Sequence, residues 1–237
     1  MALAIDSGAT DIPLIEQTIG DNLNETVARF GDNDALVVDH QGIRQSWTEF
    51  NTSVDAVAKG LMAYGIEKGD RVGMWSPNYA EWIYVQFATA KIGAIQVNIN
   101  PAYRTSELEY AMNQSGCKML VTRTEYLTSA YQDMVEQVRP NCADLEHVVY
   151  FDTSDWADLV AAGQSVSDQD LSARMALLDP NDAINIQYTS GTTGFPKGAT
   201  LSHRAILNDA KFVGMMCDYD ETDRVAIPVP FYHCFGM

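Results

Sequence analysis

From Arg71 onward, short runs of apolar or alternating residues give way repeatedly to longer stretches whose apolar positions fall three and four apart. The short runs read as strands and the longer stretches as helices. On that basis strands are predicted over 71–75, 94–99, 118–122 and 147–151, with helices over 78–91, 106–116 and 125–138 between them. The first of these helices carries Trp82, Ile83, Val85, Phe87 and Ala88 almost all round, which predicts deep burial. In the second, Ser106 and Glu109 have capping-box spacing, Leu108, Met112 and Ser115 share a face, and Gly116 ends the helix. Pro140 closes the third. Strand–helix alternation of this kind predicts an α/β fold of layered, mostly parallel sheets flanked by helices.

The flanks are less regular. The first twenty residues predict an extended arm, followed by a short helix over 23–30 and two strands over 35–39 and 44–47 joined at His40-Gln41-Gly42. Thr48 opens a helix with Phe50, Val54, Val57 and Leu61 on its buried face and Gly65 as its stop. Residues 153–182 are polar and acidic and predict surface helix and loop, so the change in composition places a subdomain seam near Ala183 within one domain spanning residues 1–237. A strand over 183–188 and a short strand over 199–201 follow. Ser202 then N-caps a helix lined by Ile206, Ala210, Val213 and Cys217, and a last strand is expected over 224–229.

Composition narrows the partners. The chain has 237 residues, 46% of them hydrophobic, enough for a sizeable core. Its formal net charge of −17 argues against nucleic acid and against an anionic membrane surface. No apolar run reaches the ~18 residues of a membrane span. Cys117, Cys142, Cys217 and Cys234 lack metal-site spacing, so reduced, mostly buried thiols and no metal site are expected. The N-terminus lacks the basic and apolar regions of a signal peptide, and a cytoplasmic protein is predicted.

The most specific chemistry lies in Tyr188-Thr-Ser-Gly-Thr-Thr-Gly-Phe-Pro-Lys-Gly198. Hydroxyls of Thr189, Ser190, Thr192 and Thr193 surround Gly191, Gly194 and Gly198, with a single lysine, Lys197. Glycines let the backbone come close to a ligand, successive N–H groups form an anion-binding concavity, and the lysine supplies charge. A flexible linker has no use for one lysine and one proline at set places. The spacing also fails the Walker phosphate loop and the dinucleotide fingerprint.

These eleven residues resemble the phosphate-loop signature of the adenylate-forming (AMP-binding) superfamily. That resemblance implies an enzyme that uses ATP and Mg2+ to convert a carboxylic acid to an acyl-adenylate and then passes the acyl group to coenzyme A. It assigns Thr189, Ser190, Gly191, Thr192, Thr193, Gly194 and Lys197 to ATP. The tail, Pro228-Val-Pro-Phe-Tyr-His-Cys-Phe-Gly-Met237, is similar to a second motif of the same superfamily and makes His233 a wall of the acyl and adenylate pocket. Val97 to Glu109 resembles fatty-acyl and medium-chain acyl-CoA synthetases, tilting away from peptide-synthetase adenylation domains.

Later superfamily motifs, including the ribose-binding aspartate and the small C-terminal domain with its catalytic lysine, do not occur in the 237 residues. The expectation is an incomplete N-terminal domain, with no catalytic residue of its own, inactive alone as a ligase and prone to homo-oligomerise through uncovered apolar surface. An aryl-acid or amino-acid adenylating enzyme and a non-catalytic nucleotide-binding module are the alternatives.

Overall fold

Alternating side chains give the central strands two buried faces. The computed structural model describes residues 11–189 and 196–237. In chain order its first half comprises α1 (Ile19–Phe30), the hairpin β1 (Asp34–Val38) and β2 (Ile43–Ser46), α2 (Trp47–Ala63), β3 (Arg71–Trp75), α3 (Ala80–Ile92), β4 (Ile95–Ile99), α4 (Thr105–Ser115) and β5 (Cys117–Thr122). There follow the small hairpin β6 (Glu125–Tyr126) and β7 (Ser129–Ala130), α5 (Tyr131–Val138), β8 (His147–Tyr150), α6 (Ser154–Ala162), α7 (Asp168–Met175), β9 (Ala183–Thr189), β10 (Lys197–Ser202) and α8 (His203–Met216).

Six strands form one sheet in the order β10-β9-β4-β3-β5-β8, and only β10 runs antiparallel to its neighbour. Successive side chains of a strand point to opposite faces. Val72, Met74, Met119 and Val121 accordingly pack with Val54, Leu61, Val85 and Ala88 of α2 and α3. Trp75, Val97 and Leu120 pack on the other face with Leu108, Met112, Tyr131 and Val135 of α4 and α5. Trp75 stacks on Tyr131 with centroids 3.8 Å apart, and its indole N–H donates to the Asn100 carbonyl. As predicted, α3 is buried almost all round.

Close helix packing needs one glycine in particular. A Cβ on Gly60 would lie 2.4 Å from the Leu159 carbonyl oxygen, so its absence lets α2 approach α6. Between α1, α2 and α3 the Lys91 ammonium is 1% exposed and is held by Asp55 and Asn51, each at 2.6 Å, and Asn24 at 3.3 Å. Those three oxygens offset the cost of burying the charge.

Four expectations need correction. The segment 125–138 is not one helix: a hairpin occupies Glu125–Ala130, and α5 starts at Tyr131. The cap of α4 lies two residues earlier than the Ser106/Glu109 pair, with the Glu107 carboxylate accepting from the Arg104 N–H at 3.1 Å while Glu109 accepts from Asn141. Residues 224–229 pair with no strand among the described residues, since Pro228 offers no N–H and Val225 and Ile227 stay exposed. The predicted apolar face of α8 is also largely exposed. Its buried residues are instead His203 and Asn208, which grip the backbone of residues 15–19. Cys117 and Cys142 are buried, whereas Cys217 and Cys234 are exposed.

Candidate functional site

Because β3, β4, β5, β8 and β9 run parallel, their C-terminal ends share one edge, the usual place for a ligand in an open α/β sheet. Thr189 ends β9 there, and Lys197 opens β10 directly opposite it. The Thr189 hydroxyl reaches the Lys197 carbonyl at 3.4 Å. Lys197 is exposed and enters no ion pair among the described residues. Ser190, Gly191, Thr192, Thr193 and Gly194 lie outside the described residues.

Helix α4 anchors both shoulders of that segment. The Tyr188 hydroxyl donates to the Ala111 carbonyl at 3.1 Å, and the Tyr110 hydroxyl donates to the Pro196 carbonyl at 3.2 Å. Burial drives the Tyr188 phenol well above its usual range, so it stays a neutral donor.

A cavity of about 720 Å3 opens on the same edge. Pro77, Asn78 and Tyr79 after β3, Asn100, Pro101, Ala102 and Arg104 after β4, and the β6–β7 hairpin line it, with Pro228, Pro230 and Tyr232 of the tail closing one side. Prolines and tyrosines supply much of its wall, with His40, Asn78, Asn100, Arg104, Thr128 and Ser129 as the polar lining. Arg104 donates to the Ser129 hydroxyl at 2.8 Å, fixing the hairpin to the loop after β4. Behind the wall, the Arg123 guanidinium lies 4.4 Å over the Tyr79 ring and donates to its hydroxyl. Asp152 holds that guanidinium at 3.3 Å and accepts from the Thr124 N–H and hydroxyl. Periodicity could not single out these residues, because they sit in loops after strands.

The tail coils back on itself. His233 N–H donates to the Pro230 carbonyl at 3.1 Å, Gly236 N–H to the His233 carbonyl at 2.8 Å, and Phe235 N–H to the His233 Nδ1 at 3.2 Å. A Cβ on Gly236 would lie 2.5 Å from the Pro230 carbonyl oxygen, so only glycine closes this turn. The His-x-x-Gly spacing therefore has a backbone cause. His233 is exposed, and its neighbour Tyr232 lines the cavity in its place. Phe231 fastens the turn to the core against Trp82, centroids 5.3 Å apart.

Among the described residues no cluster of His, Cys, Asp and Glu is arranged to hold a metal ion, and no helix is long and apolar enough to cross a membrane.

Comparisons with known proteins identify the family and the fold. Medium-chain acyl-CoA ligase ACSF2, mitochondrial, of Danio rerio is 41% identical over 249 residues, covering 97% of this chain and 41% of that protein. The Mus musculus protein of the same name is 40% identical, covering 99% of this chain and 42% of its own length. This chain thus spans well under half of those curated relatives. Among solved structures, the inhibitor-bound N-terminal domain of FACL13 from Mycobacterium tuberculosis superposes with a TM-score of 0.78 at 26% identity, over 92% of this chain and 52% of that one. A family model described as AMP-binding enzyme matches residues 23–237, and the chain belongs to that family.

Proposed function

We propose that this chain supplies the ATP-binding half of an acyl-CoA synthetase. One observation carries the reading. Thr189 and an exposed Lys197, which enters no ion pair among the described residues, face each other on the sheet edge that also bears a 720 Å3 cavity rich in proline and tyrosine. A polyphosphate grip beside an apolar pocket suits the joining of ATP to an apolar acid.

In the proposed reaction a carboxylate oxygen attacks the α-phosphorus of ATP and pyrophosphate leaves. The thiol sulfur of coenzyme A then attacks the acyl carbonyl and AMP leaves. A carboxylate is already ionised near neutral pH, so the first step needs no general base. What it needs is alignment and charge stabilisation. Hydroxyls of Thr189, Ser190, Thr192 and Thr193, with the N–H groups of Gly191 and Gly194, hold the β- and γ-phosphates. Lys197 neutralises charge growing on the leaving pyrophosphate, and the Pro230–Gly236 turn bearing His233 walls the acyl side. A divalent cation such as Mg2+ would supply further charge neutralisation at the phosphates; among the described residues no carboxylate or histidine cluster is arranged to hold one. The relatives are medium-chain acyl-CoA ligases by name, which suggests a medium-chain acid here, and the cavity's proline and tyrosine lining is compatible with one. A cytoplasmic location belongs to the same reading, supported by four cysteines that form no disulfide; cell fractionation tests this.

Competition calorimetry tests the grip. Pyrophosphate is expected to displace ATP from the 237-residue chain, and adenosine is expected not to. Displacement by adenosine alone would move the binding energy away from the phosphate segment and sink the reading.

A further inference from the structure

Interior strands of a parallel sheet are ordinarily apolar, because both faces are covered. β4 and β9 depart from this on one face only. Gln96 and Asn98 of β4 stand beside Asn185 and Gln187 of β9 in register, and all four side chains are buried. An amide left unpaired there would cost about 1–3 kcal/mol, so a block of four calls for partners.

The partners form a continuous chain. Gln96 Nε2 donates to Asn98 Oδ1 at 2.8 Å, and Asn98 Nδ2 donates to Gln187 Oε1 at 2.8 Å and to Asn185 Oδ1 at 3.5 Å. Asn185 Nδ2 donates to Gln86 Oε1 of α3 at 3.2 Å. Gln187 Nε2 donates out of the block to the Tyr232 backbone carbonyl. Tyr232 lies inside the turn that carries His233, and Gln187 lies two residues before Thr189.

The tail needs such donors. Residues 224–229 pair with no strand among the described residues, so side chains must serve its backbone. Asn78 does this at one point, donating to the Val229 carbonyl and accepting from the Phe231 N–H, both at 2.8 Å. Gln187 does it one residue further on.

We propose that the amide chain Gln96–Asn98–Gln187 is a positioning device. It fixes the turn bearing His233 against the strand that delivers Thr189 to the phosphate segment, so that the state of one is felt by the other. Asn98 and Gln187 are its positioning residues. An apolar pair would fill the same space without direction, whereas amides demand one orientation of each neighbour. The role in catalysis rests on the acyl-CoA synthetase reading; the mechanical coupling does not.

Hydrogen–deuterium exchange on the whole 237-residue chain tests it. Gln187→Met keeps the volume and removes both amide bonds. Asn98→Leu cuts the chain one link back. In each, exchange of residues 229–236 is expected to quicken about fivefold or more, as for one lost hydrogen bond, while β3 and β5 keep wild-type protection. The double variant is expected to match the faster single variant, because the link to Tyr232 runs through Gln187; the direct contact of Asn98 Nδ2 with Met237 Sδ at 3.5 Å lies outside the 229–236 readout. Tail exchange at the wild-type rate in Gln187→Met overturns the proposal, and so does a double effect equal to the product of the singles. Should Asn98→Leu not fold, Gln187→Met alone decides.

A second arm adds saturating ATP to each protein. ATP is expected to slow tail exchange in the wild type and to have no effect on the tail in Gln187→Met. Equal slowing in both overturns the proposal. If the wild type binds no ATP, the function reading fails, and the ATP-free arm still decides the amide chain.

Discussion

β3 and β10 belong to one sheet but live under opposite rules. Four of the five residues of β3 are buried, between α2 and α3 on one side and α4 and α5 on the other. β10 pairs along one edge only, and Lys197 to Thr200 are exposed. The first strand is held by packing and contributes stability. The second, on the function proposed above, offers polar groups to a ligand instead of packing. Damage at the two places should therefore differ in kind: the interior should lose folding energy, and the edge should lose binding with the fold intact.

The largest effect is expected inside. Trp75→Ala removes a side chain stacked on Tyr131 and hydrogen-bonded to Asn100, and should cost about 3–5 kcal/mol in denaturant unfolding. A loss below about 1 kcal/mol would mean that the β3 interior is not the stabilising half.

Next is the buried ammonium. Asp55→Ala leaves Lys91 with only the amides Asn51 and Asn24, and should cost about 2–3 kcal/mol, near the low end for a broken buried pair because Asp55 is partly exposed. Lys91→Met in the same background should recover part of that loss, which separates an unpaired charge from lost packing.

The limb that carries β10 and α8 should respond to acid. Burial pushes His203 down to about 4, and its Nδ1 accepts the Ile19 N–H at 3.1 Å, so the folded state holds the neutral ring. The unfolded chain binds the proton near pH 6.5 and the folded chain only near pH 4. The stability from the neutral ring is therefore fully present above about 6.5 and lost as pH falls from there toward 4, up to about 3 kcal/mol. His203→Gln should flatten thermal stability across that window. An unchanged slope would remove His203 as its source.

How much could be read beforehand follows from the same contrast. Val72 and Met74 against Trp75, and the all-round burial of α3, were legible because packing imposes a period on the sequence. The 125–130 hairpin was not, because Leu127, Tyr131, Met134 and Val138 keep helical spacing. Leu127 nevertheless turns the chain at φ +52° and stays 84% exposed. Alternating Val225, Ile227 and Val229 likewise imitate a strand, yet Pro228 and Pro230 deny it a ladder and Asn78 and Gln187 hold its backbone instead. At the candidate site, Thr189 and Lys197 were legible from residue types alone. Arg104, Tyr79 and Arg123 were not, since only the parallel sheet brings the ends of β3, β4 and β5 together. The amides of β4 and β9 were visible as exceptions in apolar strands, but their partners required the register.

The central claim is that the edge binds and the interior stabilises, and Lys197 tests it most directly. ATP titration by calorimetry on the wild-type chain and on Lys197→Ala should show saturable binding weakened about 5- to 150-fold, equivalent to ~1–3 kcal/mol for a charge-assisted contact, with unfolding stability unchanged within about 0.5 kcal/mol. Equal ATP affinity in the two proteins, or a lysine whose loss unfolds the chain without touching ATP, would contradict it.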